Sequence, residues 1–320
     1  MRVALVVPLL LVSLAAQVPA PDFRYLQTPP TGLPAMPLPP EPAPTAAMFA
    51  LGQRLFADPL LSSDRTISCQ SCHPPATAFA SPDPRPAGVE GRRASAHAPT
   101  LLNRGYGKSM RWDGSTATLD AFVVQPIADP NEMNLPVATA LQRLRDDAEY
   151  SRMFATAFAD GVSAANLATA LATFVRGIVA ADAAVDHFLK GDTKALTREQ
   201  RAGLWIFESK GGCWRCHTAP LFTDERFHNT GVGAVDGTPQ PGRAAHTREA
   251  GDAGRFKTPT LRRVSLTAPY MHDGSVRTLA DVIEFYARGG NQNHNLSPQL
   301  KPLQLSAEDR RNLLAFLESL

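Results

Sequence analysis

All four cysteines of the 320-residue chain fall in two copies of one short motif, CQSCH and CWRCH. Two thiols one helical turn apart can add to the two vinyl groups of a haem, and the adjacent histidine then reaches the iron from the proximal side. Neither a redox CxxC pair nor a zinc site needs a histidine directly after the second cysteine, so the repeated motif favours covalent haem c. The sequence therefore predicts two covalently bound haem c groups. The attachment residues are Cys69, Cys72, Cys213 and Cys216, with His73 and His217 as proximal iron ligands.

The overall composition is that of an ordinary folded protein, with 44% hydrophobic and 19% charged residues and a formal net charge of +2. These values exclude a disordered chain, a collagen and a polytopic membrane protein. The net charge is too small to suggest a nucleic-acid partner. Because single hydrophobic cores stop growing at about 250–300 residues, the length favours two domains.

The first 20 residues combine Arg2, an apolar run from Val3 to Ala16 and small residues beyond it. This pattern predicts a secretory signal peptide over residues 1–20, with an uncleaved anchor as the alternative. Export implies a periplasmic protein with no stable membrane insertion after cleavage. Residues 21–44 are rich in proline and predict a linker that is either an extended tether or a strap over the surface.

Hydrophobic periodicity in the remaining chain is helical nearly everywhere, which predicts a mainly α fold. Folded sequence begins where Thr45 can cap a helix. A short helix is expected over 118–124, ended by Pro126, and one amphipathic pattern runs over 135–158. The stretch 228–257, rich in Gly, Pro and Thr, predicts a long loop.

The two CxxCH motifs lie too far apart for a packed multihaem ribbon, so each haem should have its own helical domain. Gly191 and Asp192 interrupt the helical pattern between them. We therefore expect an N-terminal haem c domain over 45–192 and a C-terminal haem c domain over 193–320.

Several further segments resemble, in order and content, the landmarks of the bacterial dihaem cytochrome c peroxidases. They are LGQRLFADPLLSSDRTISCQSCH, HAPTLLN, RWDGS, QPIADPNEM, KGGCWRCH, FKTPTLRRVSLTAPYMHDGS and TLADVIEFYARGG. The resemblance runs from about Leu51 to the C-terminus. It implies two mainly α-helical cytochrome c-like domains, with a peroxide-binding haem in the first and an electron-transfer haem in the second.

The sixth iron ligands decide the branch that the chain resembles. The family position for a histidine that caps the first iron holds Val89, so the first haem is expected to be five-coordinate and open. The family position for a methionine on the second iron holds Tyr286, which is similar to the MauG and MbnH branch. A phenolate favours oxidised iron, whereas a Met thioether raises the potential. The alternative is that Tyr286 is a buried aromatic residue and Met271 binds the second iron.

The resemblance also implies a set of catalytic residues. Trp112, in RWDG, matches the tryptophan between the two haems, where an indole can relay an electron or a hole. Glu132 matches the distal carboxylate that takes a proton from peroxide and returns it to the leaving oxygen. Pro126 matches a distal proline that helps to keep the haem face open. Phe122 stands where the family has a distal glutamine, so one hydrogen-bonding group is missing.

Calcium between the haems is a further family feature, and here the sequence leaves it open. His97 replaces the asparagine that supplies a side-chain ligand, and imidazole is a poor calcium ligand. Backbone carbonyls around Thr267 and Pro269 would still be available to the ion.

Eight basic residues could pair with haem propionates or dock an acidic partner, although scattered surface charge explains most of them equally well. They are Arg92, Arg93, Arg104, Lys108, Arg111, Lys257, Arg262 and Arg263.

Taken together, the sequence predicts a periplasmic dihaem peroxidase that uses hydrogen peroxide to form a high-valent dihaem state and oxidise a partner protein. One alternative is a conventional peroxidase that reduces peroxide with electrons from a small cytochrome c or cupredoxin. The other is a non-enzymatic dihaem electron carrier.

Overall fold

A computed structural model describes residues 18–320 of the chain, so most of the predicted signal peptide lies outside the described residues. Within this range the protein is mainly helical, which confirms the predicted fold class. None of the described helices is long and apolar enough to cross a membrane. The helices are α1 Arg24–Gln27, α2 Ala46–Ala57, α3 Cys69–Cys72, α4 Leu119–Phe122, α5 Gln125–Ala128, α6 Val137–Asp146, α7 Ala148–Ala157, α8 Ala164–Arg176, α9 Ala184–Leu189, α10 Arg198–Glu208, α11 Ala244–Thr247, α12 Leu279–Ala287 and α13 Ala307–Leu317.

Two close helix crossings organise the fold. Helix α2 packs on α8 at Gly52, where an added Cβ would lie only 2.0 Å from the Ala170 carbonyl oxygen. Helix α10 packs on α13 at Gly203, where an added Cβ would lie 2.0 Å from the Asn312 carbonyl oxygen. Only glycine allows two helix backbones to approach this closely, and both helix pairs have a glycine at the point of contact.

Aromatic side chains repeat around the two crossings. Phe56 packs against Phe174 beside the first crossing, with ring centroids 5.1 Å apart. Phe207 packs against Phe316 beside the second, with centroids 5.3 Å apart. The two halves are therefore built on one plan: a glycine-bearing helix before each CxxCH motif packs against a later helix of the same half.

The buried apolar side chains form two main clusters, which divide between Ala180 and Ala183. Val185, on α9, lies in the second cluster although it precedes the boundary expected from the sequence at 192/193. A short apolar helix between two domains can pack against either hydrophobic cluster, and hydrophobic periodicity alone does not predict which one.

The proline-rich segment is a strap held against the rest of the protein. Leu26, Leu33 and Met36 are buried in a third cluster with Tyr106 and Val179. The Tyr106 hydroxyl donates a hydrogen bond to the Pro34 carbonyl oxygen at 3.0 Å. Of the two conformations that the sequence allowed, the strap is the one found.

Local capping accounts for where several helices begin and end. Thr45 accepts a hydrogen bond from Met48 N at the start of α2, as expected. The amphipathic pattern over 135–158 forms two helices, because the Asp147 side chain accepts from the backbone N–H groups of Glu149 and Tyr150 and starts α7. Pro126 lies in the first turn of α5, where proline is tolerated, so it does not simply end a helix.

The stretch expected to be a long loop contains regular structure at both ends. Strand β1 (Phe227–Asn229) pairs antiparallel with β2 (Arg255–Lys257), with Phe227 opposite Lys257. Helix α11 lies between them. The two ends of the intervening segment therefore lie side by side in this strand pair.

The α10–α13 crossing gives the first testable prediction. Replacing Gly203 with alanine forces α10 away from α13 and should lower the free energy of unfolding by about 1–3 kcal/mol. Gly251→Ala is the matched control, because an added Cβ there meets nothing within 4 Å, and it should stay within about 0.5 kcal/mol of wild type. Thermal unfolding followed by circular dichroism measures both. Equal Tm values for the two variants would contradict the crossing as described.

Candidate haem sites and their junction

The first CxxCH motif lies at the short helix α3 and the residue after it. Ser68 N donates to Ser71 Oγ at 3.0 Å, which helps to start the turn that carries Cys69 and Cys72. Burial raises the pKa of the Cys69 thiol to about 12 and that of the Cys72 thiol to about 11. The two thiols are therefore protonated and enclosed, with no disulfide between them.

Each motif histidine is held by its own backbone acceptor. His73 Nδ1 lies 2.9 Å from the Phe79 carbonyl oxygen, and His217 Nδ1 lies 3.1 Å from the Phe222 carbonyl oxygen. A carbonyl only accepts, so Nδ1 carries the proton and Nε2 keeps its lone pair. Burial lowers the pKa of both rings, that of His73 to about 4, and both are neutral near pH 7. Each presents the nitrogen that a haem iron needs.

A cavity opens beside the second motif. His217, Cys213 and Cys216 line it, together with a largely hydrophobic wall. The apolar residues in that wall include Phe207, Leu261, Val264, Leu279, Val282, Ile283, Leu303, Leu305, Leu313 and Leu317. An apolar cavity with a neutral imidazole and two thiols has the donors and the surface that a haem c requires.

Both residues considered as the sixth ligand of the second iron line this cavity, Tyr286 from α12 and Met271 from the turn before it. The Tyr286 side chain is half-buried at the cavity wall, and its hydroxyl makes no hydrogen bond within residues 18–320. Burial raises its pKa above the usual range. By contrast, the hydroxyl of Tyr270 donates to the Val264 carbonyl oxygen at 3.1 Å.

The two halves differ at the position of Tyr286. Thr118 caps α4 and Thr278 caps α12, and each follows an equivalent bridged turn, Met110 to Thr116 and Tyr270 to Val276. Counting the same number of residues from each cap reaches Pro126 in the first half and Tyr286 in the second. Helix α12 runs unbroken through that position, whereas the first half is broken into α4 and α5. A proline therefore stands where the other half offers a hydroxyl.

Glu132 and Val89 meet near the first motif. Val89 N donates to the Glu132 carbonyl oxygen at 2.8 Å, and the Val89 side chain is fully buried. The Glu132 carboxylate is close enough to raise the pKa of the Cys69 and Cys72 thiols. Burial and, to a smaller degree, the charge of Asp129 raise the pKa of Glu132. The structure thus places a half-buried carboxyl with raised proton affinity beside the first motif.

Phe122 and Pro126 lie close to Glu132 along the chain. The guanidinium of Arg111 lies over the Phe122 ring, 5.4 Å from its centroid, and also donates to Gln125 Oε1. The Pro126 carbonyl oxygen accepts from Met133 N at 3.2 Å, which holds the turn that carries Glu132.

Trp112 lies at the junction between the halves. Its indole Nε1 donates to the His97 carbonyl oxygen at 2.8 Å, and its ring meets the edge of His272 at a centroid distance of 6.4 Å. Its own carbonyl accepts from Lys257 N at 2.7 Å. Trp112 and His97 both line the second cavity, and His97 also affects the pKa of His73. This region therefore lies between the two motifs.

The His97 side chain, at the calcium position that the sequence leaves open, is not free to bind that ion. His97 Nε2 lies 2.8 Å from the Ser81 carbonyl oxygen, and His97 N donates to the His272 carbonyl oxygen at 3.0 Å. The buried imidazole is thus already committed, and it offers nitrogen where calcium prefers oxygen.

A buried ionic cluster joins the halves, and sequence reasoning missed its central residue, Glu225. Arg104 Nη1 donates to Glu225 Oε1 at 2.6 Å, and Lys257 Nζ lies 3.6 Å from the same oxygen. Burial would raise the pKa of Glu225, but the two cations lower it below its ordinary value. Burial, together with Arg104, lowers the pKa of Lys257 to about 7. No local motif marks Glu225, because its partners are distant in sequence.

A second feature that sequence reasoning missed adjoins the second motif. His228 Nε2 lies 2.8 Å from Asp224 Oδ2, and this hydrogen bond is the main cause that raises the pKa of His228 to about 9. Donor atoms of Cys216, Asp224 and His228 lie within 4.8 Å of one another. Since Cys216 belongs to a CxxCH motif, we assign this group to the haem site and not to a separate metal.

Known proteins are similar to this chain over most of its length. The family described as di-haem cytochrome c peroxidase matches residues 46–194. The methylamine utilization protein MauG of Methylorubrum extorquens is 35% identical over 280 residues, covering 86% of this chain and 78% of that protein. The cytochrome-c peroxidase IdrP2 of Denitromonas iodatirespirans is 35% identical over 311 residues, covering 88% of this chain and 84% of that protein.

A solved structure extends the similarity to the whole fold. The crystal structure of a MauG-like protein associated with microbial copper homeostasis has a TM-score of 0.85 and 32% sequence identity, covering 91% of this chain and 93% of that one. Sequence similarity over most of the chain and a shared fold lead to one assignment. The chain belongs to the di-haem cytochrome c peroxidase family, whose members are oxidoreductases that act on peroxide.

Proposed function

We propose that this enzyme is periplasmic, carries two covalently attached haem c groups, and uses hydrogen peroxide to oxidise a partner protein. The observation that carries the proposal is the position of Tyr286, which lines the second cavity together with His217 and whose hydroxyl makes no hydrogen bond among the described residues. An anionic oxygen donor there favours the oxidised iron that such chemistry needs. The similarity to MauG supports the same branch.

The haems, when bound, supply iron centres that together deliver the two electrons that peroxide requires. Reduction of one peroxide to two waters also consumes two protons. In this proposal Glu132 takes a proton from peroxide and returns it to the leaving oxygen. Its raised pKa brings its proton affinity closer to neutral pH, where such a shuttle works best.

Trp112 is the residue that we place on the route between the two haems. Its indole is fixed by the His97 carbonyl on one side and its backbone by Lys257 N on the other. A fixed aromatic ring keeps the transfer distance constant. The electrons come in the end from the oxidised side chain of the partner protein, so no pocket for a small organic substrate is needed.

A conventional peroxidase is the second candidate, and Met271 favours it because this thioether lines the same cavity. In that case a small cytochrome c or cupredoxin would supply the electrons. The chain's similarity to cytochrome-c peroxidase IdrP2 is as high as its similarity to MauG. A turnover assay with peroxide and reduced cytochrome c separates the two, because the protein-oxidising enzyme should be slow in it.

The open first haem is directly testable. With valine at position 89 and proline at position 126, no described side chain at these two places can bind the first iron. The resting ferric protein should therefore show one high-spin and one low-spin centre by electron paramagnetic resonance, and should bind cyanide without prior reduction. Two low-spin centres would refute the proposal.

Glu132→Gln should slow the reaction with peroxide by about 10²–10⁴-fold, because the amide cannot accept the proton. Both haem spectra should stay nearly unchanged. Glu90→Gln, an exposed carboxylate beside Val89, is the control and should react at the wild-type rate. In wild type the rate should fall as the pH drops through the raised pKa of Glu132 and the base becomes protonated. Stopped-flow absorbance measures all three, and a normal rate in Glu132→Gln would remove this residue from the mechanism.

Tyr286→Phe distinguishes the two enzymatic candidates. Phenylalanine keeps the packing but removes the oxygen donor, so the long-lived two-electron-oxidised state should disappear while both haems stay attached. Tyr286→Met should raise the potential of the second haem and increase turnover with reduced cytochrome c. Met271→Leu is the matched control and should retain the wild-type spectrum. If Met271→Leu loses the low-spin signal and Tyr286→Phe keeps it, the thioether is the ligand.

A further inference from the structure

The second cavity has an unbalanced charge. Its lining contains Arg215, Lys257 and Lys301, together with His228, which is paired with Asp224, and no aspartate or glutamate lines it among the described residues. Arg215 and Lys301 are exposed, so water can solvate their charges. The side chain of Lys257 is 9% exposed, and it must find its counter-charge inside the protein.

Glu225 supplies that counter-charge only in part. Its carboxylate accepts from Arg104 Nη1 at 2.6 Å and from Lys108 N at 3.2 Å, whereas Lys257 Nζ is 3.6 Å away. That separation is longer than a hydrogen bond, and Arg104 is the closer partner. One carboxylate therefore faces two buried basic side chains, and Lys257 is the one without a close partner.

The other deeply buried arginine near this region is already balanced. Arg262 donates to both oxygens of Asp186, at 2.9 and 2.7 Å, and both side chains are almost fully buried. Among the eight basic residues singled out in the sequence, Lys257 thus combines burial, an incomplete ion pair and a place in the cavity wall.

We propose that Lys257 binds a carboxylate at the second cavity, namely a propionate of the haem held by His217. An apolar cavity with cations at its wall suits a flat hydrophobic group that carries anionic arms. Because Lys257 N also donates to the Trp112 carbonyl, strand β2 fixes the haem edge and the junction tryptophan together. The inference rests on the proposed second haem site, but it holds whether Tyr286 or Met271 binds the iron.

The test uses the holoprotein and compares Lys257→Met with Lys257→Arg. Removing a positive charge beside the haem favours ferric iron, so Lys257→Met should lower the reduction potential of the second haem and leave the first nearly unchanged. It should also make that potential depend more strongly on pH, because the propionate loses the cation that keeps it ionised. Lys257→Arg should restore most of the wild-type behaviour. Spectroelectrochemical titration at several pH values measures these shifts.

Lys301→Met is the matched control, because Lys301 lines the same cavity but is exposed. The reduction potential of the second haem in this variant should stay close to wild type. If Lys257→Met behaves like Lys301→Met, the proposal is wrong. Titrating the wild type in chloride and then in phosphate tests whether the carboxylate-binding group instead holds a free anion. A potential that follows the buffer anion only when Lys257 is present would overturn the propionate assignment.

Mass spectrometry of each variant separates this inference from the site on which it rests. If Lys257→Met retains both haems and its reduction potential is unchanged, only the role of Lys257 is refuted. Absence of haem at Cys213 and Cys216 in wild type would remove the site itself.

Discussion

The closeness of two helix crossings is the constraint on which the rest of the molecule depends. At Gly52 and at Gly203 the backbones of paired helices approach until no side-chain atom fits between them. Beside the crossings, Phe56 packs against Phe79 and Phe207 packs against Phe222, and the carbonyl oxygens of Phe79 and Phe222 orient the motif histidines. The position of the motif histidine, and of the carbonyl that orients it, follows from this packing. A larger residue at either glycine would move the site as well as weaken the core.

A difference in helix continuity separates two halves that otherwise follow one plan. After equivalent threonine caps, α12 continues to Tyr286, but the first half breaks at α4 and continues as α5 with Pro126 in its first turn. Proline has no N–H group, and its ring cannot offer a donor to a metal. The equivalent positions therefore carry a hydroxyl in one half and no donor in the other.

Local patterns in the sequence were sufficient to predict what depends on neighbouring residues. The cap at Thr45 forms as expected, because a hydroxyl and an N–H group three residues away meet whenever the helix forms, and the same contact recurs at Ser163, Thr197 and Ser306. The break at Asp147 was missed, since apolar periodicity continues across it and only the side-chain competition for backbone N–H groups reveals it.

The pairing of Glu225 with Arg104 was beyond sequence reasoning, because it depends on residues from both halves meeting in space. The strap over residues 21–44 has a related consequence for the order of folding. It is synthesised before either half, yet it packs on Tyr106, Val179 and, from the second half, Leu221. These contacts join residues far apart in sequence, and such contacts slow folding. The strap can therefore complete its packing only when both halves have supplied their side of the contact.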